Sequence, residues 1–308
     1  MLPPAILLGP QRRRPRVREA VAMVAEGNGA IACVTAGWEE REGETDELFQ
    51  HLGRPAVDLA IWRRVEEILE RDQELLAAMR GRHDALRTVQ QLYRMRLSGL
   101  MDAARGLFRL DGALAGPERD GAIAMLRQLD REHEERVASI HAEFDQRFRP
   151  AERDSVRRHR RKIERTLEQA ACVCIAGGHV GALLHRMRLF GLHRSLERLP
   201  VVAWSAGAMV LCERIVLFHD DPPQGQADAE VMERGFGRVE GVVALPHARR
   251  RLRLDDALRV SLMARRFEPW RCVTLDEDCS VRWDGARWTP SGQARELGAD
   301  GALSEMRP

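Results

Sequence analysis

The chain has 308 residues, 31% of them charged and 44% hydrophobic, with a formal net charge of only +2. That length can bury a substantial core, and the composition is that of a soluble globular protein. Nearly all the positive charge is arginine, with Lys162 the sole lysine. Acidic residues interleave with it, which argues against a nucleic-acid partner. The exception is the basic knot Gln11-Arg12-Arg13-Arg14-Pro15-Arg16, read as a solvated turn with a phosphate site as the sharper alternative. Six cysteines without CxxC spacing point to buried thiols in a reducing cytoplasm rather than disulfides or zinc. The opening apolar segment is too short for a signal peptide, and no apolar stretch approaches membrane-spanning length, so a cytoplasmic protein without a membrane partner is expected.

In chain order, Ala5-Ile6-Leu7-Leu8-Gly9 reads as a buried strand, Val17 to Ala25 as a helix, and Ala30 to Thr35 as a second strand. Strands without alternating polarity, joined through a helix, point to a parallel sheet covered on both faces. Ligands gather at the carboxyl ends of such strands, where Trp38 is a candidate pocket wall. From about Asp46 to Ala170 strand signals vanish, and apolar residues recur at helical spacing among charges. Breaks near Gly81, Asp111-Gly112, Gly116-Pro117 and Pro150 suggest three to four long amphipathic helices in a hairpin or small bundle. His133 and His141 stand two turns apart there, among glutamates and arginines, and read as solvated. Because strands resume afterwards, residues 51–167 read as a helical insertion in an α/β domain made of 1–50 and 168–308.

Ala171 to Ala176 is again a strand, ending in Gly177-Gly178, a pair that lets the backbone approach a ligand and turn its amides inward. The pattern is neither a dinucleotide fingerprint nor a phosphate loop, so no cofactor is expected. The stretch Val201-Val202-Ala203-Trp204-Ser205-Ala206-Gly207-Ala208-Met209 then joins a short buried strand to a helix with small residues on both sides of a serine. A sharp strand-to-helix turn holding a nucleophile needs those small neighbours, and the helix amides behind it favour negative charge. Ile215 to Phe218 is a strand, followed by a polar loop with Asp220 and Asp221. Gly241 to Pro246 is another strand with His247 at its end. Asp255 to Ala264 is a helix, Arg271 to Glu277 and Ser280 to Trp283 are strands across a turn, and the tail from Ala294 looks loosely ordered.

These strand ends carry the groups of an acyl-transfer site. Ser205 is the candidate nucleophile and needs an adjacent base; His247 supplies one, with His179, His185, His193 and His219 as competitors. A carboxylate must orient the imidazole, and Glu277, Asp220 and Asp221 are the candidates. The amides of Gly178 and Ala206 are candidate oxyanion donors.

The Trp204-Ser205-Ala206-Gly207-Ala208 segment follows the Ala176-Gly177-Gly178 turn and precedes Gly241-Val242-Val243-Ala244-Leu245-Pro246-His247 and Asp276-Glu277-Asp278. Together these resemble the serine peptidases related to cyanophycinase and aspartyl dipeptidase. The likeness covers roughly residues 4–45 and 170–290. It implies a three-layer α/β fold with a mainly parallel sheet, similar to class I glutamine amidotransferases and flavodoxin-like folds. It implies Ser205 as nucleophile, His247 as base, Glu277 as orienter, and Gly178 and Ala206 as oxyanion donors. It also makes the position after the double glycine, His179, a substrate contact, and Gly177, Trp38 and Asp220 join it as substrate-binding candidates from their places at the strand ends and in the polar loop. Members usually carry an acidic or amide residue and then glutamine after the double glycine. This chain has His179-Val180, which disfavours cyanophycin or an aspartyl dipeptide as substrate. An α/β-hydrolase would prefer glycine at Ala203 and place its acid before its histidine; an amidotransferase proper would carry cysteine at 205.

The expectation is a Ser-His-Glu hydrolase of peptide or amide bonds that needs no metal or cofactor and acts on a small peptide. The competing expectation is a non-catalytic binding or regulatory protein, with the helical insertion serving a homodimer or recruiting a partner protein.

Overall fold

The computed structural model describes residues 2–222 and 227–308. The chain opens with strand β1 (Ala5–Leu8), helix α1 (Val17–Val24), strand β2 (Ala30–Val34), a 3-10 turn over Ala36–Arg41, helix α2 (Asp46–Leu52) and strand β3 (Ala56–Asp58). Four helices follow: α3 (Ile61–Arg71), α4 (Gln73–Phe108), α5 (Ala115–Phe148) and α6 (Asp154–Glu168). Strand β4 (Ala170–Ile175) leads into α7 (Val180–Leu189) and α8 (His193–Leu196), and β5 (Val201–Trp204) into α9 (Ala206–Leu211). Next come β6 (Arg214–Leu217), β7 (Glu230–Arg234), β8 (Val242–Pro246), α10 (Ala248–Arg251) and α11 (Ala257–Phe267). The chain closes with β9 (Arg271–Leu275), β10 (Ser280–Trp283), β11 (Trp288–Ser291), β12 (Arg295–Leu297) and β13 (Leu303–Glu305).

The main sheet has the order β11-β10-β1-β5-β4-β2-β3. Its five strands from β1 to β3 run parallel, and β10 and β11 extend the edge antiparallel. Side chains of a strand alternate between faces, so β1 sends Ile6 and Leu8 to one layer and Ala5 and Leu7 to the other. The first layer holds Val17 and Val21 of α1 and Leu52 of α2; the second holds Val65 of α3 and Leu183 of α7. Both faces are covered, which is why these strands show no polar alternation in sequence. The fold is therefore a three-layer α/β arrangement with a mostly parallel sheet and long helices. A second sheet, β13-β12-β9-β8, and a ribbon of β6 and β7 complete it.

Several elements depart from the sequence expectation. Gly81 does not interrupt α4: nothing lies near its missing Cβ, so its cost is the roughly 1 kcal/mol of an exposed helical glycine. Gly116-Pro117 falls inside the first turn of α5, where proline loses no intrahelical hydrogen bond. Residues 56–58 carry no strand signal, yet they pair with β2 along Ile31–Ala56 to Cys33–Asp58. Strands β9 and β10 do not form a hairpin; β9 pairs parallel with β8 while β10 joins β1, and Gly9 N donates to Cys279 O where the chain crosses between sheets. The tail is ordered as β12 and β13 because Ala294, Leu297 and Met306 are buried. His133 and His141 are not solvated. His133 is buried and stacked on Tyr93, and His141 meets Glu233. Part of the polar loop after Asp221 lies outside the described residues.

All six cysteines are buried and unbridged, and burial pushes Cys212 and Cys272 up to about 12. Among the described residues, no helix is long and apolar enough to cross a membrane.

Helices α4 and α5 pack side by side and are fastened to the rest of the fold by a buried polar knot. Arg266 of α11 donates to both oxygens of Asp130 on α5, at 2.8 and 2.6 Å, and to the Tyr93 hydroxyl of α4 at 2.6 Å. That hydroxyl donates to Asp130 and accepts from Val231 N, so its donor and both acceptor sites are used. All three side chains are almost fully buried. Removing one member of such a group leaves a buried charge uncompensated. Asp130→Ala is therefore expected to lower unfolding stability by about 3–5 kcal/mol, measured by denaturant titration; a change near zero would mean that the knot is not what holds α5.

Candidate active site

Ser205 sits between β5 and α9 with φ 51° and ψ −121°. A non-glycine residue in that region costs about 1–3 kcal/mol and persists only where its surroundings impose it. Here they do. Ser205 N donates to Leu8 O of the neighbouring strand, and its carbonyl accepts from Ala208 and Met209 as the helix begins. A Cβ on Gly177 would come within 2.8 Å of the Ser205 Cβ, and one on Gly207 within 2.3 Å of Ile175 O. The ends of β4 and β5 thus meet with no room for a side chain at either glycine.

His247 follows β8 in the left-handed region, φ 59° and ψ 32°. Its amide donates to Leu275 O, which ties the residue to the end of the adjacent strand β9. The imidazole Nε2 lies 3.4 Å from Ser205 Oγ. Among the competing histidines, His179 caps α7 by accepting from Ala182 N, and His185 pairs with Glu233. Burial, then the charges of Arg251 and Arg250, hold the His247 imidazole below its ordinary value, while Glu277 acts in the opposite direction.

The three candidate acids have separate fates. Asp220 is buried, takes two hydrogen bonds from Arg259 and one from Arg253 N, and does not line the cleft around Ser205. Asp221 is exposed, 3.7 Å from Arg253. Glu277 influences His247 through its charge, but among the described residues no hydrogen bond joins them. Beside Glu277, Asp276 accepts from Arg249 N in the turn that carries His247.

Ser205 and His247 open onto a cleft of about 810 Å³, and Gly177, Gly178 and Trp38 line it. Gly178 adopts φ 114° and packs against Gly37 O, while His179 N donates to that same carbonyl. Among the described residues, neither the Gly178 nor the Ala206 amide donates to a backbone acceptor, and both residues line the cleft. His179 accepts from Ala182 N through Nδ1 as the α7 cap. Sequence reasoning missed two arginines at the cleft, Arg41 and Arg94; Arg251, also there, belongs to the basic run Arg249 to Arg251 after His247, which the sequence offers either as a holder of an acidic substrate or as a solvated turn. Arg94 comes from α4 and pairs with Glu230, so the long helix forms part of the wall. Its only sequence signal was a charge on a helix full of charges. A second cleft, of about 1080 Å³, lies on the other side of His247, lined by Glu277, Asp276 and the basic residues Arg12 to Arg14.

The model of peptidase family S51 matches residues 124–289, just over half of the chain. The chain belongs to peptidase family S51. Membership supports peptide-bond hydrolysis, and the matched region contains Ser205, His247 and Glu277. No curated protein matches the chain. Among solved structures, one similar to it is a peptidase from an acI-B1 Actinobacterium, with a TM-score of 0.46 and 13% identity, covering 99% of this chain and 98% of that one.

The charges around His247 predict a sign for each variant of this S51 member. In an NMR titration, the His247 ring should titrate below the usual histidine value. Glu277→Gln removes a charge that favours the imidazolium and should move the titration lower; Arg250→Gln removes an opposing charge and should move it higher. Shifts in the reverse directions would contradict the electrostatics described.

Proposed function

We propose that the chain is a serine hydrolase that cuts a peptide or amide bond through an acyl-enzyme. The observation that carries this reading is the Ser205 hydroxyl in a strained turn, 3.4 Å from the His247 ring nitrogen. Catalytic hydrogen bonds are often long in the free enzyme and tighten around substrate. The strand-to-helix turn acts as a nucleophile elbow.

Ser205 Oγ attacks the carbonyl carbon as its proton passes to His247 Nε2. The charge that develops on the carbonyl oxygen is met by the amides of Gly178 and Ala206, each donor contributing about 3 kcal/mol. His247 then protonates the leaving amine, and the same ring takes a proton from the water that hydrolyses the Ser205 ester. The low affinity of His247 for a proton keeps it a free base before attack, and Glu277 stabilises the imidazolium that forms. Among the described residues the ring donates no hydrogen bond to Glu277, so the contribution of that carboxylate is through space and smaller than that of a bonded one.

The cleft volume falls in the range of small-ligand sites, which supports a short peptide as substrate, with Trp38 as its apolar wall. Six unbridged thiols support a reducing compartment such as the cytoplasm. On a panel of short peptides, Ser205→Ala and His247→Ala should each lower turnover roughly 10⁴-fold or more. Glu277→Gln should cost less than either. Turnover of the Ser205→Ala protein equal to that of the parent would refute the assignment.

A further inference from the structure

Away from Ser205, three side chains from three separate segments bring ligand atoms together: His141 of α5, His185 of α7 and Glu233 of β7. All three atoms lie within 4.8 Å of one another. His185 Nε2 is 2.5 Å from one carboxylate oxygen of Glu233, and His141 Nε2 is 2.9 Å from the other. The rings stand edge to face with centroids 5.4 Å apart. Glu233 is only 2% exposed, and the two histidine side chains are largely covered. From these residues we propose a divalent-metal site of the zinc type, with His141, His185 and Glu233 as its protein ligands and one position left open.

The donor chemistry suits the ion. Two imidazoles and a carboxylate form an open zinc set, and tetrahedral bonds of about 2.0–2.2 Å place ligand atoms about 3.3 Å apart. The distances here are within a small side-chain rotation of that arrangement.

The fourth position has an occupant whose charge mimics an ion. Arg188 Nη1 donates to Glu233 and stands 3.3 Å from His141 Nε2, so it fills the space a metal would take. Arg188 is on α7 and partly exposed, so its guanidinium can withdraw toward solvent. Arg82 of α4 adds a second positive charge nearby, which disfavours a further cation and sets the affinity below that of a purely anionic cage. A bound metal would brace α5 against α7, the helix that starts just after the Gly177-Gly178 turn. This inference does not depend on the hydrolase reading.

The test is zinc titration of the chelator-treated full chain by calorimetry, with Co²⁺ absorption reporting geometry. One equivalent should bind, with the cobalt bands of a four-coordinate nitrogen–oxygen site and paramagnetic shifts on the His141 and His185 rings. His141→Ala and His185→Ala should each weaken zinc roughly 100-fold, and Arg188→Ala, which removes the competing cation, should tighten it. No saturable zinc binding by the unaltered chain would overturn the proposal. So would affinity unchanged in both histidine variants, or cobalt shifts on other residues; a hydrogen-bonded clasp held by Arg188 would then be all that is there. The ring shifts are read on the unaltered chain, so a variant that fails to fold does not spare the proposal.

Discussion

The geometry around Ser205 depends on a backbone that no ordinary turn would tolerate. A serine at φ 51° is held because β4 and β5 are parallel neighbours whose ends are free of side chains at Gly177 and Gly207. The parallel sheet supplies the alignment and buries β5 and residues 172–175 of β4, so neither carboxyl end can relax sideways without opening the core. Gly37 closes the arrangement from the next strand, close enough that a Cβ on Gly178 would strike its carbonyl. Three strand ends therefore lock into one surface, on which Gly178, Ala206 and Ser205 line a shared cleft.

His247 reaches that surface from a different sheet. Strand β8 pairs with β9, and the main sheet does not include either. The position of His247 is set by two backbone amides, its own donating to Leu275 O and that of Arg249 donating to the Asp276 carboxylate, and neither bond involves the ring. The ring then stands between two clefts of contrasting character. One contains Ser205 and a tryptophan wall; the other contains Glu277 among arginines. Arginines on the same short helix discourage protonation while Glu277 encourages it, and the balance leaves a neutral base beside the hydroxyl.

How much was legible in the sequence follows from whether the relevant partners are local. The Ser205 turn depends on small residues within a few positions of it, so its pattern is visible in eleven residues. The buried parallel strands were visible because continuous apolar runs have few other uses. Strand β3 was not, since three residues gain their identity from pairing with β2 rather than from their own propensity. His133 and His141 looked solvated because their chain neighbours are charged. Their actual partners, Met232 O and Glu233, are more than ninety residues away in the chain. Asp220 looked available for the same reason: Arg259, which buries it, is distant in sequence. Nothing local marked Arg94 as a wall of the cleft, because that role is assigned by how α4 packs.

The most direct test of the account is covalent labelling with a fluorophosphonate, located by mass spectrometry on the folded full-length chain. A hydroxyl made nucleophilic by an adjacent imidazole should be modified at Ser205 alone, once per chain, and replacement of His247 should abolish the adduct. A folded protein that takes up no label at Ser205, or takes it up equally well without His247, would contradict the claim that these two side chains share a proton.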